Sequence, residues 1–406
     1  MTRRPFVVLL ALIGGVVVFA LTAAAATRAT RPAGAPDLAA MALALSDLPA
    51  GAKIQSQGYA ETEAVAEYQR VFVVRGARVG SSRLLMMLNS LFVDANAGQA
   101  STDFAQVNQL LGTKAGREEL RKAFADQVAR DASFKSVRVT IGRPRRARIG
   151  DGAVSVLIRL TGKKKLTLDV VLTFERLDRV IGLLAFYSVP RGHVAAADVD
   201  RMTTVSVGRM HDGLVPVSTT PPTVGGGLGP GQAAVAAAGV WGGDQVAFTY
   251  QWQRCDAAGA GCVDIAGATG SSYVVASGDL ASTLRVSVTG SNALATVKAV
   301  STQTTVVAGL PGAPVATVAP AISGASQQGA TLSASTGDWS GAPTGFTYQW
   351  RRCDAAGTTC VDIAGATGSS YVLTPAEAGA TIRVLVVAAN AIGPGGAMTP
   401  QTAAVT

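Results

Sequence analysis

Residues Phe248 to Tyr273 read FTYQWQRCDAAGAGCVDIAGATGSSY, and Phe346 to Tyr371 read FTYQWRRCDAAGTTCVDIAGATGSSY. The two copies differ only at 253/351, 260/358 and 261/359. Whatever one copy folds into, the other must fold into as well, so this half of the chain is a pair of like modules. All four cysteines of the chain, Cys255, Cys262, Cys353 and Cys360, sit at matching positions in the two copies.

Within the second copy Phe346, Tyr348 and Trp350 alternate with Thr347, Gln349 and Arg351. Period-two alternation of aromatic and polar residues predicts a strand with its aromatic face on a core and its polar face in water. Trp252, Tyr273, Trp350 and Tyr371 are the expected core residues. Each C-x6-C pair predicts a local disulfide, Cys255–Cys262 and Cys353–Cys360, on the solvent side of a hairpin turned by Asp354-Ala355-Ala356-Gly357 and its first copy. Closing so short a loop is worth roughly 2–3 kcal/mol in the chain-entropy model. Zinc is not expected, because the chain's two histidines, His193 and His211, lie outside the repeats.

The N-terminus reads Met1-Thr2-Arg3-Arg4, then runs without charge from Phe6 to Leu21, and ends in an alanine tail to Ala26. This is the pattern of a secretory signal over 1–26, with an uncleaved membrane anchor as the alternative. Oxidised cysteines behind a signal place the protein outside the cytoplasm, secreted or on the cell surface.

Charge is unevenly spread. Between Thr27 and Thr219 stand 27 Lys and Arg against 18 Asp and Glu, while from Thr220 onward the balance is 6 against 8. The basic character therefore belongs to the N-terminal domain, expected over 37–212. Its strand-like runs Val154–Leu160, Leu166–Phe174 and Val180–Tyr187 predict an antiparallel meander. Helices are expected at Leu38–Leu45, from a Ser101 cap, from a Thr113 cap, and over Ala195–Met210. The run Leu84 to Leu88 fits a buried strand or a buried helix equally. Blocks of helices and strands without strict alternation predict an α+β domain. A Pro/Gly/Thr linker is expected over 213–230, with modules over 221–308 and 317–406 and a second linker near Gly309 to Pro320.

The chain resembles bacterial immunoglobulin-like repeats of surface and secreted proteins. The resemblance rests on Tyr250-Gln251-Trp252, Ile265-Ala266-Gly267-Ala268-Thr269, Tyr273 and their second copies. It implies two all-β immunoglobulin-like sandwiches after the α+β domain. The sequence departs from immunoglobulin domains proper, with Arg383 where a second inter-sheet cysteine would stand and Thr381 where the corner tyrosine would. The N-terminal domain's order of elements is similar to that of PsbP-like domains.

Arg143, Arg145, Arg146 and Arg148 form the densest basic run, a candidate patch for an acidic cell-wall polymer or other anionic surface ligand; Lys163-Lys164-Lys165 is a second. Nucleic acid is not an expected partner, and contact with membrane is expected only through an uncleaved N-terminus. No catalytic, cofactor-binding or metal-binding constellation stands out. Glu118-Glu119 and Asp198 with Asp200 diverge on helices, Asp264 and Asp362 lack a calcium-loop pattern, and Gly225-Gly226-Gly227 reads as linker. The expectation is a non-enzymatic exported binding or adhesion protein with spacer modules. The alternatives are an extracellular hydrolase domain, catalytic or accessory, in 37–212, or a spacer without a ligand.

Overall fold

A computed structural model describes residues 31, 35–60, 66–74, 78–79, 82–129, 137–162, 167–188 and 194–406. The apolar segment after Arg4, the lysine run 163–165 and His193 lie outside the described residues. Among the described residues no helix is long and apolar enough to cross a membrane. The chain divides into two compact units between Val215 and Pro216.

The first unit is built on an antiparallel sheet of β1 (Lys53–Ala60), β2 (Ala66–Val73), β5 (Met86–Val93), β10 (Val180–Ser188), β9 (Thr167–Leu177) and β8 (Gly152–Thr161), in that order. Beyond β8 the edge is shared by β6 (Arg138–Ile141) and β7 (Arg145–Ala147). A small hairpin, β3 (Arg78–Val79) and β4 (Ser82–Arg83), stands apart. The expected meander is β8-β9-β10, and Asp178 makes the β9–β10 turn at φ 53°.

Helices cover both faces of this sheet. On one side α2 (Ala97–Gly112) and α3 (Lys114–Ala129) bring Phe104, Leu111, Leu120 and Phe124 against Val156, Leu172 and Leu183. On the other, α4 (Ala196–Leu214) brings Val199 and Met202 against Phe72, Met87, Val171, Leu184 and Phe186. Val199, Met202, Ser206, Met210 and Leu214 repeat at helical spacing, so one stripe of α4 seals the sheet. Two covered faces explain the run around Leu84–Leu88: Met87 faces α4 while Leu88 faces α2, so β5 has no polar side to show.

Caps fall close to expectation. Thr113 accepts from the Gly116 amide at 3.0 Å and starts α3. Asn96, not Ser101, caps α2 by accepting from Gln99 N, so that helix begins earlier than its apolar pattern announces. Before the sheet, α1 (Leu38–Met41) and a short turn at Leu45–Asp47 are tied down by Arg70, which donates to the Leu43 and Ala39 carbonyls, and by Asn89, which accepts from Leu43 N.

The second unit holds the two repeats. In the first, β12 (Thr223–Gly226), β13 (Ala233–Ala237) and β17 (Ser272–Val274) form one sheet. The facing sheet is β16 (Val263–Asp264), β15 (Ala247–Cys255), β18 (Thr283–Ser291) and β19 (Thr296–Val300), with a flanking pair β11 (Val217–Thr220) and β14 (Val240–Gly242). The second repeats this order: β21 (Ile322–Ser323), β22 (Thr331–Ala334) and β26 (Ser370–Val372) face β25 (Cys360–Asp362), β24 (Gly345–Cys353), β27 (Thr381–Ala389) and β28 (Pro394–Met398), beside β20 (Val315–Val318) and β23 (Asp338–Ser340). Three strands packed on four is the immunoglobulin-like sandwich architecture.

Both stretches read as linkers carry strands, because β11 and β12 fall within 213–230 and β20 within the second linker. Pro221-Pro222 and Pro320 only separate edge strands, where a missing amide is tolerated. Gly225 and Gly226 belong to β12.

Trp252 and Trp350 are fully buried, and their indole N–H groups donate to Gly270 and Gly368 carbonyls at 2.9 and 2.8 Å. Tyr273 and Tyr371 lie beside them at 5.7 and 5.8 Å between ring centroids. Burial fades toward the start of each strand, so Phe248 and Phe346 stay exposed and instead meet Trp241 and Trp339 at the sandwich edge. Trp350→Ala is expected to destabilise the second repeat by about 3–5 kcal/mol, read as a lower denaturation midpoint.

Candidate functional site

The arginine run is the broken edge strand of the first unit. β6 and β7 pair successively with β8, and Gly142-Arg143-Pro144 forms the jog between them. Alternation along β7 sends Arg145 and Arg146 to opposite faces. Arg145 forms a two-pronged ion pair with Asp200 of α4 at 2.5 and 2.8 Å, whereas Arg146 donates to Asn108 of α2 at 3.2 Å. The run is therefore not one continuous face: Arg145 serves as a clamp between edge and helix. Arg143 and Arg148 are exposed and, among the described residues, have no side-chain partner.

Other residues singled out by sequence resolve into structural roles. Asp200 is Arg145's partner, and Glu118 pairs with Arg121 along α3. His211 lies near the end of α4 beside Asp212. Among the described residues no cluster of three or more His, Cys, Asp or Glu side chains could hold a metal ion.

A polar seam under α4 carries no signal in the sequence. Glu175 of β9 alternates with apolar neighbours as though facing water, yet α4 closes over that face and buries it completely. Gly182, its cross-strand partner on β10, leaves the room: a Cβ there would lie 2.6 Å from the carboxyl oxygen. Neither carboxyl oxygen has a hydrogen-bond partner among the described residues. Burial pushes the Glu175 carboxyl up to about 8; the Ser206 hydroxyl lies close enough to ease the rise but not in hydrogen-bonding geometry. Glu67 on β2 is likewise buried and pushed up to about 7, eased by Gln69. Glu175 and Ser206 are both closed off from solvent, so no substrate reaches them with α4 in place.

In the second unit the disulfides close as expected, with Cα–Cα distances of 3.9 Å for Cys255–Cys262 and 4.0 Å for Cys353–Cys360. Parity puts Cys353 on the face opposite Trp350, but that face is covered at the first cysteine of each bridge. Cys255 and Cys353 are each 2% exposed. The cause is a joint between the two repeats. Arg254 of the first donates to Asp362 of the second at 3.0 Å, and Arg351 of the second donates to the Gly278 carbonyl of the first at 2.6 Å. Arg351 also holds Asp362 at 2.7 Å. Burial lowers the Arg351 guanidinium to about 10, helped by neighbouring Arg254 and opposed by Asp362, so it stays charged at neutral pH. Beside these groups lies a cleft of about 60 Å³ lined by Arg254, Cys255, Gly261, Thr358, Cys360 and Arg383 among others. That is room for a few waters and too little for an organic ligand.

No protein-family model matches the chain, and no curated protein matches it. Solved structures with partial likeness include the extracellular domain of PknH from Mycobacterium tuberculosis, at 10% identity over 38% of this chain and 66% of that one, with a TM-score of 0.24. A multidomain titin segment matches at 11% identity over 66% of this chain and 99% of that one, with a TM-score of 0.17. The four N-terminal immunoglobulin domains of Dscam1 match at 10% identity over 57% and 53%, with a TM-score of 0.16. The strand pairing itself gives the coarse class: a chain built mostly of β-sheet, with helices against the sheet of its first unit and disulfide-bearing, immunoglobulin-like sandwich sheets in its second.

The raised Glu175 carboxyl binds a proton in the folded state that the unfolded chain releases above its ordinary carboxylate range. Its contribution to stability is full below about pH 4.5 and is lost as pH rises toward 8. Glu175→Gln is expected to flatten the fall in unfolding free energy between pH 5 and 8 by about 1.4 kcal/mol per pH unit, measured by denaturant titration at each pH.

Proposed function

We propose that this chain is an exported, non-enzymatic binding protein whose first unit presents an anionic-ligand surface and whose paired sandwiches serve as a stiff spacer. The observation that carries the reading is the division of labour in charge. Basic side chains without internal partners sit on the broken edge strand of the first unit, while in the repeats Arg254, Arg351 and Asp362 are taken up at the contact between the two modules. Two closed disulfides support a life in an oxidising compartment.

The ligand surface is narrower than the arginine run. Arg143 and Arg148, with Arg146 and the exposed Arg138 of β6, line the edge; Arg145 is neutralised by Asp200. Exposed guanidinium groups on an edge strand suit a repeating anion, such as an acidic cell-wall polymer, because each contact is weak and adds to the next. The same charges also keep the edge from pairing with another sheet, which is the whole of their role if the chain is a spacer alone.

Retention on an immobilised acidic wall polymer separates these readings. The full chain is expected to be retained at low salt and released as salt rises, and R143A/R148A to elute at clearly lower salt. Equal elution of the variant and the parent chain overturns the ligand surface. Turnover of the polymer by the parent chain would overturn the non-enzymatic reading.

A further inference from the structure

The three positions at which the duplicated segments disagree all belong to the contact between them. At 253/351, Gln253 of the first repeat stays within its own module, donating to Asp264 at 2.7 Å and accepting from Arg285 at 2.7 Å. Arg351 cannot accept, so Arg383 turns to the carbonyls of Thr399 and Gly357, and Arg351 itself reaches across to Gly278. At 260/358, the Thr358 hydroxyl donates to Asp354 at 2.9 Å, a brace that Ala260 cannot give to Asp256. The braced loop is the one pressed against the first repeat.

At 261/359 the requirement is steric. Gly261 adopts φ +56° and lies directly under the Thr358–Thr359 backbone, where a Cβ would collide with the Thr358 carbonyl. Glycine is needed there twice over, for its left-handed backbone and for the close approach. Thr359, at the matching position of the second repeat, has no positive φ.

The same asymmetry continues outside the duplicated segment. Leu385 and Val387 on the outward face of β27, with Met398 of β28, pack into the core cluster of the first repeat. Their counterparts are Ser287, Thr289 and Val300. Gly396 lets Leu280 in, since a Cβ would sit 2.5 Å from the leucine Cβ. The counterpart of Gly396 is Lys298, and the counterpart of Leu280 is Ala378.

We infer that these positions are the specificity determinants of a one-way joint, in which the first repeat is the socket and the second the plug. Gly261 and Leu280 shape the socket; Arg351, Thr358, Leu385 and Gly396 shape the plug. At the socket-equivalent positions the second repeat carries Thr359, whose backbone already lies against Gly261, and Ala378, so it offers no matching seat to a further repeat of this kind. Arg254 with Asp362 recurs as Arg352 and Asp264, so charge alone sets neither direction. The inference does not depend on export or on any ligand.

The test is to make equivalent exchanges in the two copies. Spin labels carried on ketone side chains at the exposed positions 274 and 372 report the distance between repeats without touching the disulfides. The full chain is expected to give a single narrow distance distribution. Ala260→Thr with Gly261→Thr, which gives the first loop the second loop's residues, is expected to broaden it severalfold. The reverse exchange at the matching site, Thr359→Gly, is expected to leave it narrow. Arg351→Gln installs a residue the first copy already accommodates, so it loosens the joint with the fold kept, as intrinsic tryptophan emission from Trp252 and Trp350 would confirm. A broad distribution in the parent chain overturns the inference, as do narrow ones in both the Gly261 and Arg351 variants.

Discussion

Each of the larger sheets among the described residues fills one core with one of its faces, and the treatment of its second face shapes everything else. In the first unit helices cover both sides, so β10 is apolar nearly throughout, β5 is interrupted only by the buried Asn89 and Ser90, and adjacent residues such as Met87 and Leu88 belong to different cores. In the second repeat, Ile382, Val384 and Val386 of β27 fill its own sandwich while Leu385 and Val387 turn outward onto the first repeat. The first repeat's matching strand carries Arg285, Ser287 and Thr289 on that face.

Covering a second face also buries polar groups, and the two units handle this in opposite ways set by acid–base chemistry. Glu175 is sealed beneath α4 with no donor for its oxygens, and a carboxyl can meet that by keeping its proton. A guanidinium has no such escape. Arg351, 3% exposed, must stay charged and so needs acceptors on every side it shows; it finds Asp362 within its own repeat and the Gly278 carbonyl across the joint. The cost of desolvating that charge is offset only while both acceptors are in place, which makes the joint strict about geometry.

The sandwiches were legible because alternation around Trp252 and Trp350 and the local C-x6-C spacing are properties of neighbouring residues. So was the β8–β9–β10 meander. What escaped were features whose cause lies far along the chain. Pro- and Gly-rich stretches passed for linkers because edge strands tolerate the same residues. Glu175 has the local pattern of a surface residue, because only α4, docked from elsewhere, buries it. Arg145 passed for part of a basic face because Asp200, its partner, stands 55 residues away. The disulfides do lie on the expected face, but that face is partly covered, and nothing local announces a neighbouring repeat.

Mismatches between near-identical copies supply a signal that a single module cannot. Tryptophan, turn and cysteine positions meet the same surroundings in both repeats, so the same residue satisfies both. A position inside the joint meets two different environments, because the two loops meet across it unequally, Gly261 lying under the Thr358–Thr359 backbone. Two unaltered copies joined in this manner would form a heterologous contact, with each copy keeping one face unused and open to another. Glycine at 261 against threonine at 359, and leucine at 280 against alanine at 378, remove that equivalence. The shared ion-pair residues can then stay the same in both modules, because shape, together with the unshared Arg351, decides which face is occupied.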